Sequence, residues 1–142
     1  MRLPTFVMLL CWPLVALAQS AGSDREPATH PVTAMTFSLF EGEADACGPG
    51  CSRWIAAEGA ILAATPMAFA EVAQVLGGEK PPVLIHSDGG VVDAAMALGR
   101  LVRRAGLATI VARTDRSGPR PAPALDGICH GACLYLLLAG TE

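Results

Sequence analysis

The residues best suited to chemistry lie in one turn, Ser87-Asp88-Gly89-Gly90, directly after the short apolar pattern Val83–His86. An apolar run that ends in a polar pair and two glycines is typical of a buried parallel strand turning sharply into a helix. Because Gly89 and Gly90 lack side chains, a substrate can approach their backbone closely. Amide N–H groups at such a turn, near a helix N-terminus, can bind a carbonyl oxygen or an oxyanion. The turn therefore indicates a scaffold for acyl chemistry.

Alternating strand and helix patterns position this turn. Alternation, β-branched residues and short apolar runs predict strands over Val32–Phe40, Trp54–Gly59, Val83–His86 and Ala108–Ala112. Helical spacing predicts helices over Thr65–Leu76, with Thr65 as N-cap and Pro66 at the first helical position, and over Asp93–Ala105, capped by Gly106. The stretch Cys129–Ala139 is expected to lead into a third, very apolar helix over Leu134–Leu138. The proline-rich stretch Thr114–Asp126 is expected to be an irregular loop. The alternation from residue 54 onward predicts an α/β fold with mainly parallel strands.

The N-terminus has the pattern of a secretory signal peptide. Arg2 is followed by a short apolar stretch, and Ala16-Leu17-Ala18 forms a small-residue cleavage site. A membrane anchor is the alternative, but Pro13 interrupts the apolar run, which is shorter than the roughly 20 residues of a membrane span. We expect residues 1–18 to be removed, residues 19–31 to be a flexible lead-in, and residues 32–142 to form one domain. The mature protein is then periplasmic or secreted and unattached to a membrane.

Composition excludes several kinds of partner. The chain has 10 Lys and Arg against 13 Asp and Glu, a net charge of −3, and its arginines are scattered. A mildly acidic chain without a basic patch is not expected to bind nucleic acid. Alanine is abundant and aromatic residues make up only 5% of the chain, which favours close packing of helices on a sheet over a cofactor cage. No cofactor is expected.

Four cysteines fall outside the signal peptide, in pairs with the same spacing. An even number of cysteines in an exported chain indicates two disulfides, for which three pairings are open. The local pairs Cys47–Cys51 and Cys129–Cys133 are favoured, because each pair lies beside a turn or a helix start. A zinc site with four thiolate ligands is the alternative, and an oxidising compartment disfavours it.

The order of these motifs, over about residues 54 to 140, resembles the Clp protease proteolytic subunit and crotonase-like superfamily. It is most similar to an exported bacterial branch with a Cys-x-Ser-Ala-Cys nucleophile turn, here Cys129-His130-Gly131-Ala132-Cys133. Ser87-Asp88-Gly89-Gly90 matches the family's Ser-Pro-Gly-Gly, with Asp88 in place of the proline. The resemblance implies repeated β-β-α units with a mainly parallel sheet. It also implies an oxyanion hole at the Gly89-Gly90 turn, formed by the amides of Gly90 and Ala132.

The catalytic groups of that family are not in the sequence. The nucleophile position is occupied by Gly131, which has no side chain. The family's histidine base and acidic partner lie beyond the last predicted helix, whereas the sequence ends at Glu142, so the domain is expected to be incomplete at its C-terminus. Acyl transfer needs a nucleophile and a base within hydrogen-bond reach of each other. We therefore expect a catalytically inactive relative of the serine peptidases, a pseudoenzyme.

Nearby polar side chains have simpler explanations than catalysis. His130 is expected to be a partly exposed turn residue, and Cys133 to be used in a disulfide. Ser87 is expected to cap its own turn, His86 to be structural, and Asp88 to face solvent or cap the next helix.

Four functions therefore stay open at this point. The favoured one is a non-catalytic domain that binds an extended peptide along the sheet edge, or an acyl group over the Gly89-Gly90 turn. The second is an active serine-peptidase-like hydrolase with an unrecognised nucleophile. The third is a truncated copy, in which no following strand covers the apolar face of the helix Leu134–Leu138. The fourth is a structural module that is cross-linked by disulfides and binds no ligand. The ring assemblies of the family imply a homo-oligomer. Gly90→Val is expected to separate a ligand site from a bare turn: loss of binding with retained folding would support a site, and loss of folding alone would support a turn.

Overall fold

The computed structural model describes residues 32–141, which form a mixed α/β fold. Its main sheet contains β1 (Thr36–Glu41), β2 (Arg53–Glu58), β3 (Val83–His86) and β4 (Thr109–Val111), in that spatial order. Three helices belong to this part of the chain: α1 (Thr65–Val75), α2 (Val92–Ala105) and α3 (Cys133–Leu137). Strands β2, β3 and β4 are parallel, and β1 is antiparallel to β2. The predicted α/β class with mainly parallel strands is confirmed. Whereas β1, β2 and α1 make one β-β-α unit, β3 leads directly into α2.

One face of the sheet packs against the helices and forms the larger core. Ile55 and Ile85 point into it from β2 and β3, and neither is accessible to solvent. Phe69 of α1, Leu98 of α2 and Leu136 of α3 close over them, each also fully buried. Because the opposite face is covered as well, β3 is apolar at consecutive positions instead of alternating, which is why its pattern was readable in the sequence.

The opposite face of the sheet is covered by a hairpin that the sequence did not reveal. Strands β5 (Arg113–Asp115) and β6 (Ala122–Ala124) pair antiparallel, so the prediction of an irregular loop over Thr114–Asp126 was wrong. Trp54 lies beneath this hairpin, and its indole Nε1 donates to Thr114 Oγ1 at 3.0 Å. Glu58 accepts a hydrogen bond from the Thr114 amide at 2.8 Å. These long-range contacts order a segment whose prolines, read locally, indicate only a loop.

An arginine from the hairpin ties it to the first two strands. The Arg116 guanidinium donates to the Glu58 carboxylate at 2.8 Å and lies 4.9 Å from the centre of the Phe40 ring. Phe40 in turn stacks on Trp54, with ring centroids 6.1 Å apart. A second pair, between Arg113 and Asp126, links the start of β5 to the segment after β6.

Helix ends follow the predicted signals only in part. Thr65 is not the N-cap of α1: Ala64 holds that position, and Thr65 Oγ1 instead accepts a hydrogen bond from the Leu62 amide at 2.8 Å. The hydroxyl therefore stabilises the turn before the helix. At the end of α2, Gly106 has φ +66° and its amide donates to carbonyls of the last turn, as predicted.

The last helix covers Cys133–Leu137 and agrees with the predicted apolar helix Leu134–Leu138 to within one residue at each end. The residues before it are not helical, because Cys129 is held in extended conformation by a parallel bridge to Ser87.

Both cysteine pairs form local disulfides. Cys47 bonds to Cys51 and Cys129 to Cys133, with Cα atoms 5.1 and 5.3 Å apart. The alternative of four free thiolates around zinc is thereby excluded. Within residues 32–141, no cluster of His, Cys, Asp and Glu side chains has the geometry of a metal site. Paired cysteines are typical of proteins that fold outside the cytoplasm.

The predicted signal peptide (1–18) and lead-in (19–31) lie outside the described residues. Among the helices that the structure describes, none has the length and apolar character required to cross a membrane.

Removing the acceptor of the buried Trp54 N–H tests how the hairpin is held. Thr114→Val keeps the shape but leaves the indole N–H without a partner, so we expect it to lower the free energy of unfolding by about 1–3 kcal/mol. Thr114→Ser keeps the hydroxyl and removes one buried methyl group, for an expected loss of about 0.8 kcal/mol. Urea unfolding followed by circular dichroism measures both, and a valine variant as stable as the serine variant would contradict the role of the bond.

The Arg113–Asp126 pair predicts a pH effect. The guanidinium lowers the pKa of Asp126, mainly through their hydrogen bond. Because the folded-state pKa is depressed, this stabilisation is present above the unfolded-state pKa and is lost as the pH falls through the folded-state value. We expect Arg113→Ala to raise the pKa of Asp126 toward its ordinary value, as measured by carboxyl NMR titration. Arg120→Ala, which breaks the separate pair with Glu43, is the control and leaves that pKa in place.

Candidate functional site

The turn after β3 is joined to the turn before α3 by a short parallel bridge. The Ser87 amide donates to the Ile128 carbonyl at 2.8 Å, and the Ser87 carbonyl accepts from the His130 amide at 3.0 Å. Cys129 therefore continues the sheet beside the end of β3. This pairing brings together two segments about 40 residues apart in the sequence, the ones that carry the Ser87-Asp88-Gly89-Gly90 and Cys129–Cys133 motifs.

The glycine pair is clamped by a single residue, Ile61. The Ile61 amide donates to the Gly89 carbonyl and the Val91 amide donates to the Ile61 carbonyl, both at 2.8 Å. Gly89 has φ +98° and Gly90 has φ +144°, conformations that residues with side chains rarely adopt. At Gly90, a Cβ would overlap the carbonyl oxygen of Ile61. The two glycines are therefore required by the backbone itself.

That overlap changes how the site can be tested. Valine at position 90 cannot enter the fold without displacing Ile61, so Gly90→Val would remove folding and binding together. The expectation that this substitution separates a site from a bare turn was wrong, because sequence reasoning did not place Ile61 against the glycine.

Gly89 lies directly against the turn before α3. A Cβ at Gly89 would stand 2.5 Å from the His130 carbonyl oxygen and 3.2 Å from the Ala132 amide nitrogen. Within residues 32–141, the amides of Gly90 and Ala132 donate to no protein acceptor. The structure thus places the two segments that carry the predicted donors side by side.

The predicted nucleophile position, Gly131, is open to solvent. It has φ +52°, and apart from its two chain neighbours no atom of residues 32–141 lies within 4 Å of where its Cβ would be. A Cβ at this position would therefore lie in open space, next in the chain to Ala132. Within the described residues, a Cβ at this position meets left-handed backbone strain but no steric overlap.

The nearby polar side chains are engaged elsewhere or exposed. Ser87 is 2% exposed, and its hydroxyl accepts a hydrogen bond from the Gly89 amide at 3.1 Å. His130 Nδ1 lies 3.4 Å from a carboxylate oxygen of Asp88, with the two side chains 66% and 83% exposed. Water screens a pair as exposed as this one, which therefore holds the imidazole only weakly.

A cleft opens beside Ser87 and Asp88 of the same turn. It has a volume of about 320 Å³ and is lined by Val32, Thr33, Gly59, Ala60, His86, Ser87, Asp88 and Ile128. It lies at the carboxyl ends of β2 and β3, where ligands of parallel sheets commonly bind. His86 Nδ1 accepts a hydrogen bond from the Ile128 amide at 3.3 Å, so a neutral imidazole carries its proton on Nε2.

Sequence reasoning missed Ile61, Ile128 and this cleft. All three depend on segments that meet only in the folded chain. The sequence offered one signal for the position of His86. Because side chains alternate in direction along a strand, His86 lies on the same face of β3 as Leu84 and on the opposite face from Ile85.

Comparisons of the chain with protein-family models, with curated proteins and with solved structures found no match.

Alanine substitutions at Gly131 and Gly89 are expected to destabilise the fold by different amounts. Gly131→Ala meets only left-handed backbone strain, which is worth about 1–2 kcal/mol. Gly89→Ala combines a strained conformation with an overlap on the His130 carbonyl, so we expect a clearly larger loss of unfolding free energy. Chemical denaturation of both variants checks this, and equal losses would show that the turns are farther apart than the structure has them.

Proposed function

We propose that this chain is a non-catalytic, exported relative of the Clp protease proteolytic subunit and crotonase-like proteins. In this proposal the Gly90 and Ala132 amides bind the carbonyl oxygen of an extended peptide or an acyl group. The proposal is carried by the close approach of the two turns, in which a Cβ at Gly89 would stand 3.2 Å from the Ala132 amide nitrogen, beside an exposed glycine at position 131.

The arrangement of elements supports the proposed relationship. A buried parallel strand, β3, ends in the serine and glycine turn, α2 follows at once, and the second turn leads into the apolar helix α3. The Ser87–Cys129 bridge brings the turns together, as two halves of one binding site require. A carbonyl bound there would meet two amide donors without other protein acceptors in residues 32–141.

The absence of catalysis follows from the same residues. Gly131 supplies no nucleophile, and the Ser87 hydroxyl is buried and bonded within its own turn. An amide pair can hold a polarised carbonyl, but without an attacking group and an adjacent base it does not cleave an acyl bond. Binding without turnover is the function that this set of groups supports.

The two disulfides support an extracytoplasmic location for this function. The Cys129–Cys133 disulfide closes the loop around Gly131 and Ala132, so an oxidising compartment would keep the proposed donor segment constrained. A periplasmic or secreted protein is the corresponding proposal.

The binding test uses the open space at Gly131. We expect ¹⁵N NMR titration with N-acetyl-hexa-alanine amide, and separately with octanamide, to shift the amides of Gly90 and Ala132 with at least one probe. Gly131→Leu places a side chain beside these amides and is expected to weaken binding about tenfold or more, equivalent to ~1.4 kcal/mol. Gly77→Leu is the matched control, because Gly77 has φ +58° and equally open surroundings but lies after α1.

Three outcomes would contradict the proposal. Shifts absent with both probes would favour a structural module, and equal weakening by the two leucine variants would place the site elsewhere. Covalent labelling of the unaltered protein by a fluorophosphonate would show an active serine nucleophile and end the non-catalytic interpretation.

A further inference from the structure

A second surface, on the outer side of α2 and α3, combines apolar side chains with an ordered set of charges. The exposed apolar residues on these helices and just before them are Val91, Val92, Met96, Leu134, Tyr135 and Leu138, from 41% to 76% accessible. A shallow groove of about 230 Å³ runs between the helices, with Gly99 on its floor. An apolar surface of this kind on a small domain marks an interaction site more often than a solvated face.

The charges along α2 are opposite at its two ends. Asp93 is exposed in the first turn, while Arg100, Arg103 and Arg104 are exposed in the second half. Asp93 and Arg100 lie seven residues apart, two helical turns, so they share one stripe with Met96 between them. In the described part of the chain, neither Asp93 nor Arg100 has an ion-pair partner. Arg103 differs, since its guanidinium donates to the carbonyls of Leu138 and Gly140.

We propose that this face binds the same face of a second copy of the chain, with the two α2 helices antiparallel across a two-fold axis. An axis passing between Met96 and Ala97 places Asp93 of each copy opposite Arg100 of the other. Two equivalent ion pairs then flank a centre formed by Met96 and the small side chain of Ala97. A closed dimer of this kind needs a self-complementary surface, and an acidic end, an apolar middle and a basic end meet that condition.

Other occupants fit the same surface less well. A parallel pair of α2 helices would set Arg100 against Arg100 and Asp93 against Asp93. An anionic membrane would attract the arginines but repel Asp93, and the groove over Gly99 is concave, whereas a bilayer surface is flat. An acidic peptide would pair with the basic end only. Antiparallel self-association is the arrangement that uses both ends.

Charge reversal tests the proposal on the full chain. Sedimentation velocity across a concentration series is expected to show a reversible dimer for the unaltered protein. Asp93→Arg and Arg100→Asp each oppose like charges and are expected to weaken the dimer about tenfold or more. The double variant Asp93→Arg/Arg100→Asp restores opposite charges across the axis and is expected to recover most of the affinity. A double variant as weak as the single ones, or an unaltered protein that stays monomeric, would overturn the proposal.

Matched variants separate association from folding. Met96→Asp buries a charge at the proposed centre and should abolish the dimer, whereas Met67→Asp, at a methionine of α1 that is 73% exposed, should leave it intact. Circular dichroism must show the same helix content in all variants. If both aspartate variants dissociate equally, or if the unaltered chain is monomeric and floats with phosphatidylglycerol vesicles, the face has a different occupant.

Discussion

The arrangement of both turns depends on one short extension of the sheet, the parallel bridge between Ser87 and Cys129. Its two backbone hydrogen bonds, at 2.8 and 3.0 Å, fix the segment before α3 against the end of β3. Without that bridge, nothing else in the local sequence would bring Gly89 close to Ala132, because Gly89 lies in the turn between β3 and α2 and Ala132 in the turn before α3. The Cys129–Cys133 disulfide then closes the second turn from the other side, so the loop carrying Gly131 is held at both ends. A constrained loop loses less conformational freedom when it binds a ligand.

Close backbone approach explains why positions 89 and 90 are glycine. Gly89 contacts the His130 carbonyl and Gly90 contacts Ile61, so neither position has room for a Cβ. Gly131 is different, since its surroundings are open. Two glycines are thus imposed by packing, whereas the third lies where a Cβ would meet no neighbouring residue of the described chain.

The proposed ligand site and the proposed dimer face meet along α2. The helix begins at Val92, two residues after Gly90, and its outer stripe carries Asp93 and Arg100. Its inner stripe, with Ala95 and Leu98, is buried against the sheet and the other helices. One amphipathic helix therefore anchors the glycine turn through its buried side and presents a self-complementary surface through the other.

The sequence by itself determined the elements whose signals are local. β3 was readable from its apolar run, α2 from its period and from Gly106, and the disulfides from the repeated spacing of the cysteines. Tertiary structure alone decided the β5–β6 hairpin, because Trp54 and Glu58 order a proline-rich segment nearly 60 residues away. It also decided the bridge between Cys129 and Ser87, the shift of the α1 N-cap from Thr65 to Ala64, and the close contact of Ile61 with Gly90. The physical reason is the range of the interactions: capping and periodicity act within a few residues, whereas strand pairing and close backbone contact join segments that the sequence keeps far apart.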